Sequence, residues 1–232
     1  MRTASIACIV TLCLAGAVAA QHRDPASAVV VPPPGPRGIP VDMIEDGSFE
    51  AGSPSPSWTE ASTNFGSPLC TEAGCGNGGG TAGPRTGLWW AWFGGTSSPE
   101  VGSVSQAVQI SDNSTAQLDF YFWLGTCGTD GDSLAVEVDG NEVWSDACET
   151  DRGIVTYVPA SVDISAYADG GVHTIEFVSV NAGGGVTNYS VDDITLTVAP
   201  QVNILEIPTA STWGLLLLGS VLAAIAVLKL RS

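Results

Sequence analysis

Leu118, Phe120, Phe122 and Leu124 alternate with Asp119, Tyr121 and Trp123, so one face of this segment is wholly apolar and the other mixed. A repeat of two places successive side chains on opposite sides of an extended strand, whereas a helix would scatter them around its axis. The segment predicts a half-buried strand. Residues 134–138, the turn formers Asp139-Gly140-Asn141 and then Glu142-Val143-Trp144 predict a second strand, a tight turn and a third strand. Further strands are expected near 105–110, 154–158, 172–180 and 190–198. The chain has 28 glycines, many of them in loops such as 76–83 and 183–185, and no stretch with helical amphipathicity. These features argue for an all-β chain folded as an antiparallel sandwich.

Charge limits what such a sandwich can bind. The chain carries a formal charge of -17, and its 24 acidic residues all fall between residues 21 and 228, against Arg23, Arg37, Arg85 and Arg152. A nucleic-acid backbone would be repelled by this field, so nucleic acid is excluded as a partner. With 44% hydrophobic residues the chain can still build a core.

The ends read as targeting segments. Arg2, an apolar run from Ile6 to Val18 and Ala17-Val18-Ala19-Ala20 have the layout of a secretory signal peptide over residues 1–20. Val29 to Pro40 is proline-rich, so residues 21–41 are expected to be an extended linker. At the other end, Trp213 to Leu228 is sixteen residues without a charge, followed by Lys229 and Arg231. At ~1.5 Å per residue it covers roughly 24 Å, enough with interfacial anchors for a single membrane helix with a cytoplasmic C-terminus. Ile207-Pro208-Thr209-Ala210-Ser211-Thr212-Trp213-Gly214, the apolar run and the basic end resemble the IPTL-CTERM sorting signal of Gram-negative bacteria. Ala210 stands where that pattern has leucine. The resemblance implies an exported protein held in the inner membrane, then handed by a sorting or processing protease to the cell surface or extracellular matrix, with Ile207, Pro208, Thr209, Ser211, Trp213 and Gly214 as the signal.

Between a second linker at 199–206 and the proline-rich stretch lies one domain, residues 42–198. Its opening Asp46-Gly47-Ser48-Phe49-Glu50 and closing Ser190-Val191-Asp192-Asp193-Ile194-Thr195-Leu196 resemble the first and last strands of galactose-binding-like jelly rolls, the fold of many carbohydrate-binding modules and of MAM-type adhesive domains. The resemblance implies a jelly-roll β-sandwich. It also implies a structural calcium ion held by Glu50 and Asp192, with Asp193 as a substitute; hard carboxylate oxygens suit that ion. Asp130-Gly131-Asp132 lacks the rest of a calcium loop and is read as a turn.

With the leader removed, Cys70, Cys75, Cys127 and Cys148 remain. An even number in an exported domain predicts two disulfides with three possible pairings, of which Cys70–Cys75 and Cys127–Cys148 is favoured because each closes a local loop. Their spacing and the distance of His22 and His173 in sequence disfavour zinc.

Two chemistries compete for the domain's function. Alternation puts Trp90 and Trp92 on one strand face and Trp89 and Phe93 on the other, so Trp90, Trp92, Tyr121 and Trp123 are candidate stacking platforms for pyranose rings. Glu137 and Glu142 match the E-x-D-x-x-E spacing of jelly-roll glycoside hydrolases, whose carboxyls stand about 5 to 5.5 Å apart in one cleft. Here the Asp139-Gly140 turn interrupts that strand, so a solvated hairpin tip is the better account. No nucleophile elbow, H-E-x-x-H or phosphate loop occurs. The sequence therefore reads as an exported, membrane-tethered or surface-sorted β-sandwich without catalysis, adhesive or matrix-associated, with polysaccharide or matrix components as partners. The alternatives are a carbohydrate-binding module with a defined glycan and a hydrolase using Glu137 and Glu142.

Overall fold

The computed structural model describes residues 39–77, 81–149, 156–201 and 229. The expected signal peptide, most of the proline-rich linker and the sorting-like tail with its apolar run lie outside the described residues, Lys229 excepted. Among the described residues no helix is long and apolar enough to cross a membrane.

The strands are β1 (Val41–Asp42), β2 (Thr59–Ser62), β3 (Leu69–Thr71), β4 (Trp89–Gly94), β5 (Glu100–Gln109), β6 (Ser114–Thr126), β7 (Ser133–Val138), β8 (Asn141–Ala147), β9 (Val158–Asp163), β10 (Val172–Asn181) and β11 (Asn188–Pro200). One helical turn, α1 (Glu72–Cys75), and one 3-10 turn (Ser165–Tyr167) complete the set. They form an antiparallel β-sandwich. The first sheet runs β3-β4-β11-β6-β9, with β1 also on β11, and the second runs β2-β5-β10-β7-β8.

Alternation decides which side chains meet between the sheets. Leu118, Phe120, Phe122 and Leu124 of β6 face Leu134, Val136 and Val138 of β7 and Ile175 and Phe177 of β10 in one buried cluster. Phe120 packs edge-on against Trp144 and Phe177, each at 5.0 Å between centroids, the geometry that aromatic quadrupoles favour. The hairpin expected at Asp139-Gly140 is present, with both residues at positive φ, 52° and 76°. That is the backbone of a two-residue turn matched to strand twist.

Two strand expectations are corrected. Residues 46–50 form turns rather than a first strand: Asp46 and Phe49 have φ of 53° and 60°, and the amide of Phe49 donates to Asp46. The reason is packing. Phe49 turns inward, wholly buried against Trp58, and Gly47 passes so close to β11 that a Cβ there would lie 1.8 Å from the Ile194 carbonyl oxygen. Of the strand expected at 154–158, residues 154–155 lie outside the described residues and β9 starts at Val158, where Val162 supplies the buried contact.

Candidate functional site

The outer face of the first sheet gathers the aromatic residues singled out above. Ser190 of β11 pairs with Trp92 of β4 on one side and Trp123 of β6 on the other, and Asp192 pairs with Tyr121. Trp90 lies two residues from Trp92 on the same face, beside Cys70 of β3. The four predicted platform residues thus share one face, yet only two serve as a surface. Trp90 is wholly buried, with its Nε1 unpartnered, which corrects its assignment as a platform. Tyr121 lies under the guanidinium of Arg85, 3.3 Å from the ring centroid, so its face is already covered by a cation–π contact.

Trp92 and Trp123 remain half-exposed. Trp92 is held in place: its Nε1 donates to Asn188 Oδ1 at 2.8 Å, and its ring lies over Gly95, where a Cβ would come within 2.6 Å. An indole whose N–H is satisfied inside the protein offers an apolar surface at little further cost in ordering.

The cover over Tyr121 belongs to a strap around residues 83–89, clamped by the acids expected to hold calcium. Asp192 Oδ2 accepts from the amides of Arg85 (2.7 Å) and Thr86 (3.1 Å), and its Oδ1 from the amide of Asp193 (2.7 Å). Glu50 Oε1 accepts from Leu88 (2.8 Å) and Trp89 (2.9 Å). Asp193 takes the Arg85 guanidinium and the hydroxyls of Thr86 (2.5 Å) and Ser48 (2.9 Å). Glu50, Asp192 and Asp193 are therefore brought together by one strap, but N–H and O–H donors face their oxygens. Calcium would need carboxylate oxygens turned towards it, and here those of Asp192 and Asp193 and one of Glu50 accept hydrogen bonds from the strap and its neighbours. Among the described residues no group of three or more His, Cys, Asp or Glu side chains could hold a metal.

The electrostatics of the strap follow from burial. Asp192 is wholly buried, and desolvation, aided by the Asp193 charge, outweighs its N–H donors and pushes its pKa up to about 7. Burial acts against ionisation of Asp193 as well. There the hydrogen bonds from Thr86, Arg85 and Ser48 prevail and hold it below the usual carboxylate range. Tyr157 closes the other side, its hydroxyl donating to Gly83 at 2.8 Å, and burial raises that phenol above its ordinary value.

The remaining candidates fall elsewhere. Glu137 pairs with Glu142 on β8 and with Glu176 on β10, a row of three glutamates on the outer face of the second sheet rather than two carboxylates on one strand. They line neither of two surface depressions of about 470 and 680 Å³ among the described residues. Asp132 is wholly buried, accepting from the Ala182 amide at 2.7 Å and the Thr187 hydroxyl at 2.6 Å. His173 is buried between two carboxylates, Nδ1 at 2.7 Å from Asp139 and Nε2 at 3.0 Å from Asp169, which keeps its proton above the usual imidazole range. The disulfides are Cys70–Cys75 and Cys127–Cys148, the favoured pairing. Sequence reasoning missed Arg85, Asn188 and Ser190; an arginine within a strongly acidic domain was the one available signal.

No family model and no curated protein matches the chain. Solved structures do. TmCBM61 in complex with beta-1,4-galactotriose is 19% identical with a TM-score of 0.47, over 67% of this chain and 97% of that one. A Stig cyclase, Fisc from Fischerella sp. TAU, is 13% identical with a TM-score of 0.46, over 71% and 100%. The K3 cleaved adhesin domain of Lys-gingipain from Porphyromonas gingivalis w83 is 12% identical with a TM-score of 0.44, over 68% and 98%.

Proposed function

We propose that this chain is an exported, membrane-tethered or surface-sorted β-sandwich that binds extracellular polysaccharide, in an adhesive or matrix role, without catalysis of its own. The observation that carries binding is the pair of half-exposed tryptophans, Trp92 and Trp123, flanking Ser190 across three adjacent strands. Pyranose rings have an apolar face, and a fixed indole is the side chain that complements it. The basic start and apolar run of residues 1–20 support export, and the resemblance of residues 207–232 to a sorting signal supports tethering and processing. The hydrolase reading has less behind it, because Glu137 and Glu142 stand on neighbouring strands joined by the Asp139-Gly140 turn rather than on one continuous strand.

The test is retention of the full-length protein, in mild detergent, on immobilised polysaccharides. Retention that Trp92→Ala and Trp123→Ala both abolish is the expected result. Failure of every polysaccharide to retain the protein would overturn the binding reading. Fractionation with and without residues 207–232 tests the tether separately: deletion should move the protein from the membrane or surface fraction to the soluble exported one.

A further inference from the structure

The geometry and charge of the aromatic row narrow the ligand to one class of glycan, an inference that rests on the carbohydrate-binding reading. Trp92, Ser190 and Trp123 stand side by side on β4, β11 and β6. Neighbouring strands lie ~4.8 Å apart, so the two indoles are anchored about 10 Å apart. One pyranose on Trp92 does not reach Trp123 across that distance. A chain laid along the row, across the strands, places one ring on each indole and a third between them. The middle of the row offers no obstacle, because Ser190 is small and wholly buried.

Charge excludes acidic polymers. The one arginine among the described residues, Arg85, is committed to Asp193 and to the Tyr121 ring. Asp192 and Asp119 are the other ionisable groups that β11 and β6 bring to this face, and the Asp119 carboxylate is engaged by Ser161. A uronate or sulfate laid on the row would find no cation supplied by β4, β6 or β11 to pair with, in a molecule of charge -17. We infer that the row takes an uncharged, extended pyranose chain of at least three residues, running across the strands.

Calorimetric titration of the full-length protein tests this. The probes are mono-, di-, tri- and tetrasaccharides of β-1,4-linked glucose, mannose, xylose and galactose, with polygalacturonate as the acidic polymer. For at least one neutral series, affinity should rise about tenfold or more between di- and trisaccharide as the second indole is engaged. Trp92→Ala and Trp123→Ala should each remove that rise, Trp92→Phe should keep most of it, and polygalacturonate should not bind at any salt concentration. A monosaccharide bound as tightly as the trisaccharide, or salt-sensitive binding of polygalacturonate, would overturn this inference if binding still depended on the tryptophans. Binding of no saccharide, or binding indifferent to both substitutions, would overturn the carbohydrate reading itself.

Discussion

Asp132→Ala should be among the most damaging single changes in this domain. The side chain is wholly buried in the turn between β6 and β7, where it accepts from the amide of Ala182 and the hydroxyl of Thr187. Its own carbonyl accepts from Cys148 at 2.7 Å, so the turn, the Cys127–Cys148 disulfide and the 182–187 loop are joined at one residue. Alanine leaves the buried Thr187 hydroxyl and the part-buried Ala182 amide without an acceptor, at about 1–3 kcal/mol each, hence roughly 3–5 kcal/mol in all. For a domain of this size that lowers the melting temperature by roughly 6–20 °C. Asparagine retains an oxygen for the Ala182 amide and should cost about 1–2 kcal/mol. Far-UV circular dichroism melts of the three proteins in non-reducing buffer measure this. Hydrogen exchange should localise the loss to residues 182–188, because that loop leads into Asn188, the residue that fixes Trp92. An Asp132→Ala protein melting within about 2 °C of wild type, or an asparagine variant as damaged as alanine, would refute the reasoning.

The remaining predictions concern charge. Asp192 has its folded pKa raised to about 7, so its contribution to stability is greatest below the ordinary value near 3.9 and is lost as pH climbs to 7; wild type should melt lower at pH 8 than at pH 5, and Asp192→Asn should flatten that slope. His173, raised by its hydrogen bond to Asp139 and then by that to Asp169, contributes fully below about 6.5 and loses its contribution above its folded pKa. Asp139 and Asp169, lowered chiefly by the Thr174 and Gly171 amides, contribute above about 4 and lose theirs in acid; His173→Asn should therefore lower the melting temperature more at pH 5.5 than at pH 9. Glu137→Gln should raise the melting temperature slightly in low salt and hardly at all in high salt, since it relieves repulsion from Glu142 and Glu176. Calcium and EGTA should leave the melting temperature unchanged by scanning fluorimetry; a calcium-dependent rise would mean that the ion displaces the N–H donors of the strap.

What was legible in the sequence was local or periodic. The apolar face of β6, the Asp139-Gly140 hairpin and the two disulfide loops each bring together residues close in the chain, so their pattern is written in a short stretch. Residues 46–50 read as a strand because they resemble the first strand of galactose-binding-like jelly rolls. The direction of Phe49 is set instead by Trp58 and by the pass of Gly47 against Ile194, contacts that no spacing announces. The aromatic face shows the same division. Alternation correctly placed Trp90, Trp92, Tyr121 and Trp123 on one side of the sheet, because parity along a strand is a local property. Whether that side meets water depends on the 83–89 strap, a glycine- and proline-bearing stretch without periodicity. Its position is set by five backbone amides and carbonyls finding Glu50, Asp192 and Tyr157 across long separations. Both ends of that contact carry a polar mark. Asp192 is a wholly buried carboxylate in β11, and Arg85 is an arginine within an acidic domain. A buried acid requires donors, so the two together identify where the strap docks and which half of the aromatic face it leaves to solvent.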